Sequence, residues 1–398
     1  MSNGQIGNPS AAAHAAALIA RLGSSGPVEL VRAPGRVNLI GEHTDYNEGL
    51  VLPAAINREI WIAFEPWDRA EVELTSAGFD ETRSFSFEGL SPETRGAKSW
   101  IDYVAATAWA MSDAGLPIRG FRGVMDSNIP IGSGLSSSAA LEMASSWALA
   151  VPGAPRPDAG KMAAISQRGE NVYVGVNCGI MDQFASSAGQ AGHALLIDCR
   201  TNQFKTAPMP DGLSLVVCET GSLRKLEASA YNTRRSECEL GVKLIAEREP
   251  GVTALRDVDE AMLARNRDRL PEVVARRCEH VVREDVRVME TVVALRDGDF
   301  ESLGRLFAAS HASLRDLYEV SSAELDAMVD IAVSVPGVVA SRMTGAGFGG
   351  CTVSLVEHGA EEALRDAVLA QYKARTGLQP SVYIVAAVDG AGAVKQDA

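Results

Sequence analysis

Apolar and polar positions alternate in short runs over the first third of the chain. Val28 to Arg32, Val37 to Ile40, Glu59 to Glu65, Glu71 to Thr75 and Gly120 to Ser127 are strand-like and bounded by turn residues. Before, between and after them, apolar positions return at helical spacing in Ala11 to Leu22, Trp100 to Gly115, Ser136 to Ala150 and Asp158 to Val174. From Ser222 the helical pattern lengthens, through Leu226 to Glu247, Glu272 to Leu295, Phe300 to Leu314 and Ser322 to Val333. Strands come back at Val338 to Met343, Thr352 to Val356 and Ser381 to Val388, with a helix at Glu361 to Thr376. Strands and helices do not alternate in a βαβ rhythm, so the expected class is α+β rather than a doubly wound parallel sheet. Polar residues with Pro208 and Pro210, between Gln203 and Gly212, separate two apolar strands and predict a domain boundary, dividing the chain into residues 1–205 and 206–398.

Composition narrows the function classes. With 398 residues, 46% of them hydrophobic and 22% charged, the chain reads as a soluble globular protein of two domains sharing a cleft. Its formal net charge of −14, without a long basic run, argues against a nucleic-acid partner held by phosphate contacts. Cys178, Cys199, Cys218, Cys238, Cys278 and Cys351 are scattered, with neither C-x-x-C pairs nor zinc-type spacing, and predict free thiols in a reducing cytoplasm. Ala11 to Leu22 lacks a cationic start and is too short to cross a bilayer. No membrane segment or anchor is expected elsewhere, and the predicted location is cytoplasmic.

Candidate chemistry concentrates in four segments. Ile129 to Ala140 sets Gly132, Ser133, Gly134, Leu135 and the hydroxyls Ser136, Ser137 and Ser138 directly before a helical run beginning at Ala139. A glycine-rich turn feeding a helix start seats a phosphate, because backbone N–H groups and the positive end of the helix dipole both face the anion. No Walker lysine follows. An ordinary serine-capped helix would account for one hydroxyl but not three.

Arg32 to Asn47 crowds Arg36, Glu42, His43, Asp45 and Asn47 into one loop between apolar flanks, with glycines at 35, 41 and 49. Such density of donors and acceptors suits a polyhydroxylated ligand. Glu170 to Phe184 offers two carboxylates. Glu170 closes a helix; Asp182 reads either as a desolvated acid aimed by the backbone or as a helix N-cap. One acid for a metal and one for a substrate hydroxyl is the division that phosphoryl transfer needs. Gly345 to Gly350 matches G-x-G-x-x-G, but the strand pattern after Cys351 fails the helix requirement of a dinucleotide site, which disfavours a nicotinamide-dependent dehydrogenase.

These segments together resemble the galactokinases of the GHMP small-molecule kinase family. Arg36 to Leu52 resembles the galactokinase-specific motif, Pro130 to Leu141 the ATP-binding motif, and Ser341 to Cys351 the third glycine-rich motif. The resemblance implies an N-terminal domain like ribosomal protein S5 domain 2, a ferredoxin-like C-terminal domain, and an active site between them. It implies transfer of the ATP γ-phosphate to the anomeric hydroxyl of α-D-galactose. Carried over by position, Asp182 is the catalytic base and Arg36 its partner. Ser138 and Glu170 match magnesium ligands; Glu42, His43, Asp45, Gly179 and Tyr231 match galactose contacts; the turn from Gly132 to Ala139 binds ATP; and Trp100 lies near adenine. A monomer is expected. An aspartate of ordinary pKa, about 3.9, is a feeble base and must gain from placement.

One departure stands before Tyr231. Family members carry a histidine and a glutamate where this chain has Arg224 and Ala230, while Tyr231, Arg234 and Arg235 are retained. Two other outcomes resemble the same family: an N-acetylgalactosamine kinase, and a galactose sensor that binds sugar and ATP without turnover. The intact Ser136-Ser137-Ser138-Ala139 run favours an enzyme over the sensor.

Overall fold

The strand patterns of the first third close into a single sheet, with helices packed against it. In the computed structural model, which describes residues 11–95, 98–222 and 227–395, α1 (Ala11–Leu22) precedes β1 (Glu29–Asn38), β2 (Leu50–Val51), β3 (Pro53–Trp67), β4 (Glu71–Ser76) and β5 (Glu81–Ser86). Next come α2 (Ile101–Asp113), β6 (Gly120–Ser127), α3 (Ser137–Ala148), α4 (Ala159–Arg168), α5 (Met181–Ala188), β7 (His193–Asp198) and β8 (Gln203–Pro208). The second half runs β9 (Leu213–Glu219), α6 (Glu227–Ala246), α7 (Glu260–Asn266), α8 (Glu272–Asp297), α9 (Phe300–Asp316), α10 (Ala323–Val333), β10 (Val338–Thr344), β11 (Cys351–Glu357), α11 (Glu361–Thr376), β12 (Ser381–Val385) and β13 (Gly392–Ala393).

The α+β expectation holds. A six-stranded sheet is ordered β13-β1-β3-β6-β4-β5, and within it β4 and β6 pair in parallel while the other pairs are antiparallel. The second half builds an antiparallel sheet ordered β10-β11-β9-β12. β9 is apolar on both faces because both are covered. Leu215 and Val217 join the core that holds Leu303, Leu306 and Phe307 of α9, whereas Val216 and Cys218 pack with Met328 and Ile331 of α10 and Leu364, Val368 and Tyr372 of α11. Side chains buried like these contribute about 1.5–3 kcal/mol each. A separate helical cluster gathers α6, α8 and the residues after α9, including Tyr318.

Three differences from the sequence reading have physical causes. The runs Val28 to Arg32 and Val37 to Ile40 are parts of one strand, β1, whose register against β3 shifts between Pro34 and Gly35. Proline lacks the N–H a regular ladder needs, and a bulge absorbs the mismatch beside the functional loop. The predicted boundary at 205/206 falls inside β8, which pairs with β7 in a sheet ordered β2-β7-β8, so the chain crosses after Pro208. It then returns: Ala387 bridges Ile56 and Ala393 pairs with Val31, tying the C-terminal segment to the first sheet. Finally, α4 passes at Gly169 into one π turn, Gly169–Val174, rather than running on as α-helix. Among the described residues, no helix is long and apolar enough to cross a membrane.

Candidate active site

A cleft of about 770 Å³ opens where the serine turn, the loop after β1, the segment before α5, α6 and the glycine loop after β10 converge. Arg36, almost wholly buried, anchors it. Gly35 sits so close to the serine turn that a Cβ there would stand 2.4 Å from the Leu135 carbonyl oxygen. That approach lets the Arg36 backbone N–H donate to the same oxygen at 3.1 Å. The Arg36 side chain then reaches back, with Nη1 donating to the Gly134 carbonyl at 2.6 Å. Its Nε and Nη2 grip the two oxygens of Asp182 at 2.8 Å each, a bidentate fork.

Asp182 occupies the first turn of α5, whose N-cap position is Ile180, so the N-cap alternative for this aspartate does not apply. Ser136 holds the N-cap position of α3, but its side chain makes no capping hydrogen bond. It adopts a left-handed backbone (φ 62) at the helix entrance, and its hydroxyl donates to Asp182 Oδ2. Gly132 and Gly134 also have positive φ, at +73 and +82, so three left-handed residues within five wind the turn. The helix start it leads into has free N–H groups and the dipole that favour an anion.

Beneath that turn lies an acidic pair. Gln183 Nε2 donates to Glu170 at 2.5 Å and to Glu142 at 3.2 Å. Burial, with Asp182 adding, pushes Glu170 up to about 7 against the hydrogen bonds from Cys178 and Ser138. Burial and the charge of Glu170 push Glu142 well above the carboxylate range. These carboxyl oxygens, one of those on Glu142 having no hydrogen-bond partner, are hard donors of the kind a dication takes.

On the opposite wall stand the residues expected to meet sugar. Asp45 is half-buried, and loss of hydration together with the charge of Asp182 pushes it up to about 6. Gly179 is required here by space: a Cβ would fall 1.7 Å from Asp45 Oδ2. We expect Gly179→Ala to displace that carboxylate and raise the KM for the sugar substrate by about 10-fold or more, the value of a charged hydrogen bond. Steady-state kinetics with unchanged KM would free Asp45 from that role. Glu42 is buried, pairs with the equally buried Arg342, and accepts the Gly345 N–H at 3.1 Å. Desolvation raises its pKa despite Arg342. His43 adopts a left-handed backbone (φ 64), and burial pushes it down to about 3.

Arg36, Glu42, His43, Asp45, Gly132, Gly134, Ser136, Ser137, Ser138, Glu170, Gly179, Asp182 and Tyr231 all line the cleft. Ser133, Leu135 and Ala139 are buried behind it, and Ser133 Oγ donates to the Pro130 carbonyl at 2.8 Å. Trp100 packs against the first core and gives its indole N–H to Glu81 at 2.9 Å, outside the cleft lining. The loop Gly345–Gly350 joins two strands, as the pattern predicts. Gly347 faces the Val320 carbonyl, which a Cβ would meet at 2.3 Å. Arg224 lies outside the described residues; Ala230 is half-buried beside Tyr231. Glu142, Gln183 and Arg342 were not singled out from sequence. The i, i+4 spacing of Ser138 and Glu142 on one helix face was the available signal for Glu142.

This cleft, between a mixed sheet domain and an antiparallel one and headed by a serine-lined helix start, defines a GHMP small-molecule kinase. The GHMP kinase N-terminal domain matches residues 102–190 and the GHMP kinase C-terminal domain residues 291–374. The Methanococcus jannaschii mevalonate kinase shares the fold, with a TM-score of 0.63 at 17% identity over 92% of this chain and 100% of that one. Within the class, the galactokinase galactose-binding signature matches residues 19–66. A galactokinase of Roseiflexus sp. (strain RS-1) is 43% identical over 372 residues, 94% of each chain. That of Chloroflexus aggregans is 43% identical over 358 residues, 89% of this chain and 91% of its own. The Lactococcus lactis galactokinase, solved in complex with galactose, superposes with a TM-score of 0.87 at 34% identity over 94% of this chain and 97% of that one. The chain belongs to the galactokinase family, enzymes for which ATP is the co-substrate.

Proposed function

We propose that the protein transfers the γ-phosphoryl group of ATP to the anomeric hydroxyl of α-D-galactose, giving α-D-galactose 1-phosphate and ADP. The observation that supports this most directly is the Arg36–Asp182 fork, which stands where the serine turn meets the pocket of His43, Asp45, Gly179 and Tyr231. A base so placed reaches a sugar hydroxyl and a phosphate at once. Asp182 is the reachable member of the pair, its side chain 29% exposed against 6% for Arg36.

Asp182 Oδ2 accepts from both Arg36 and Ser136, whereas Oδ1 accepts from Arg36 alone and keeps a lone pair, so Oδ1 can take the hydroxyl proton as the sugar oxygen attacks phosphorus. Placement supplies much of the advantage, since the acceptor and the base are held within one cleft. Arg36, pinned by the Gly134 carbonyl, sets its positive charge beside the transferring group. The start of α3 receives phosphate oxygens. Glu170 and Ser138 would hold magnesium, and the buried oxygen donors around them fit such a cation; the ion supplies charge neutralisation on the nucleotide phosphates. Glu42, His43, Asp45, Gly179 and Tyr231 form the sugar side.

A coupled ADP-release assay with magnesium ATP across galactose, N-acetylgalactosamine, glucose, arabinose and galacturonate tests this reading. Turnover with galactose is expected. Turnover with N-acetylgalactosamine alone, or galactose binding without turnover, would replace it by one of the two alternatives. The charge on Asp45 gives a second handle. Below about pH 6 its carboxyl is protonated and loses the charge that grips sugar hydroxyls. The galactose KM therefore rises as pH falls, by up to about tenfold per unit for one group needed ionised. A galactose KM flat across that range would remove the Asp45 charge from recognition.

A further inference from the structure

His43 meets the cleft with both ring nitrogens already engaged. Its Nε2 lies 3.1 Å from the carbonyl oxygen of Ala346, and a carbonyl only accepts, so Nε2 carries a hydrogen. The ring is buried and lies near the Arg234 guanidinium, both of which disfavour a positive charge on it, and is therefore neutral, which leaves Nδ1 as an acceptor. The remaining hydrogens then have one possible order. The Tyr46 hydroxyl, 2.8 Å from Nδ1, donates to it. Tyr46 in turn accepts from the Tyr318 hydroxyl at 2.8 Å. Tyr318 accepts from the Cys238 thiol at 3.1 Å.

The chain therefore starts in the helical cluster of the second half and ends on a loop residue of the first. Ring packing reinforces it: the His43 and Tyr318 centroids are 4.7 Å apart and those of Tyr46 and Tyr231 5.2 Å. Asn47 Nδ2 fixes the His43 carbonyl at 2.8 Å. These contacts hold His43 in a left-handed backbone conformation, which costs a non-glycine residue about 1–3 kcal/mol.

We propose that Tyr46 and Tyr318 are positioning residues for hexose recognition, holding His43 as the Nε2–H imidazole through a one-directional hydrogen-bond chain that begins at Cys238. This rests on the reading of the cleft as a hexose site. It assigns His43 no proton-transfer role, because neither nitrogen is free. The ring acts as a fixed wall that also sets the Ala346 carbonyl at the cleft edge.

The test uses the full chain with Tyr46→Phe, Tyr318→Phe and, as reference, Asp45→Asn. Each tyrosine variant keeps its ring and loses two bonds of the chain, one of them the bond on the His43 side. The galactose KM is expected to rise about 3- to 10-fold, as for loss of one hydrogen bond, while kcat and the KM for ATP stay within about twofold. Nitrogen-15 spectra should show His43 with its proton on Nε2 in the parent protein and a mixture of tautomers in Tyr46→Phe. A raised galactose KM in Asp45→Asn alone would overturn the chain and leave the hexose site standing. Unchanged galactose KM in all three variants would overturn the hexose site itself. A proton found on Nδ1 of the parent protein, or a common fall in kcat, affinity for ATP and thermal stability in the tyrosine variants, would also overturn the proposal.

Discussion

Asp182→Ala is expected to lower kcat by about 10²- to 10⁴-fold, the contribution typical of a positioned general base. The KM values should move far less, because the serine turn and the sugar wall are untouched. Arg36 is the side chain at risk in this variant, since it is 5% exposed and would lose its carboxylate partner. Its bond to the Gly134 carbonyl remains and keeps the guanidinium tethered. Asp182→Asn separates the two effects: the amide keeps the shape and a hydrogen bond to Arg36 but is not a base. Both variants should therefore lose turnover together, with Asp182→Asn keeping the thermal unfolding midpoint nearer the parent value. Near-normal kcat in Asp182→Asn, measured in the coupled assay, would take Asp182 out of the chemistry.

The parts of this site legible from sequence are those whose chemistry is local. A turn of two glycines leading into three consecutive serines, or a loop with five hydrogen-bonding side chains between apolar flanks, announces itself within a dozen residues. Gly179 could be placed only through resemblance, and its physical reason, the approach of Asp45 from a loop more than a hundred positions earlier, exists only in three dimensions. Glu142 was hidden for a different reason. It sits in the alanine-rich run of α3, where a carboxylate reads as a solvent-facing break, yet it is wholly buried because Gln183 and Glu170 come to meet it. Arg342 likewise interrupts the apolar alternation of β10 and still lies inside, since Glu42, Glu284 and the Leu39 carbonyl supply its partners. The strands β5 and β13 escaped notice because one is polar and exposed and the other only two residues long. In the fold as in the site, tertiary partners override the local pattern.

Glu42→Ala should be costly in two separable ways. Arg342 is wholly buried, and its Nη2 pairs with Glu42 while Glu284 stands farther off at 3.8 Å. Removing the nearer carboxylate leaves a guanidinium without water or a full counter-charge, a situation that costs about 3–5 kcal/mol. Glu284 softens this only in part, because it is already engaged by Arg287 at 2.6 Å and by Ser310; against burial, Arg287, His280, Arg342 and the Ser310 hydrogen bond hold its carboxyl down to about 2. The Gly345 N–H also loses its acceptor, which loosens the glycine loop at the cleft edge. The urea midpoint should accordingly fall at unchanged slope, and the galactose KM should rise more than kcat falls, as expected of a contact made in the ground state. Glu42→Gln retains the shape and the Gly345 acceptor, so it should recover the binding term more than the charge term. If stability fell while the galactose KM held, Glu42 would serve only to neutralise Arg342; if neither moved, the buried pair would have no hold on the loop that carries His43 and Asp45.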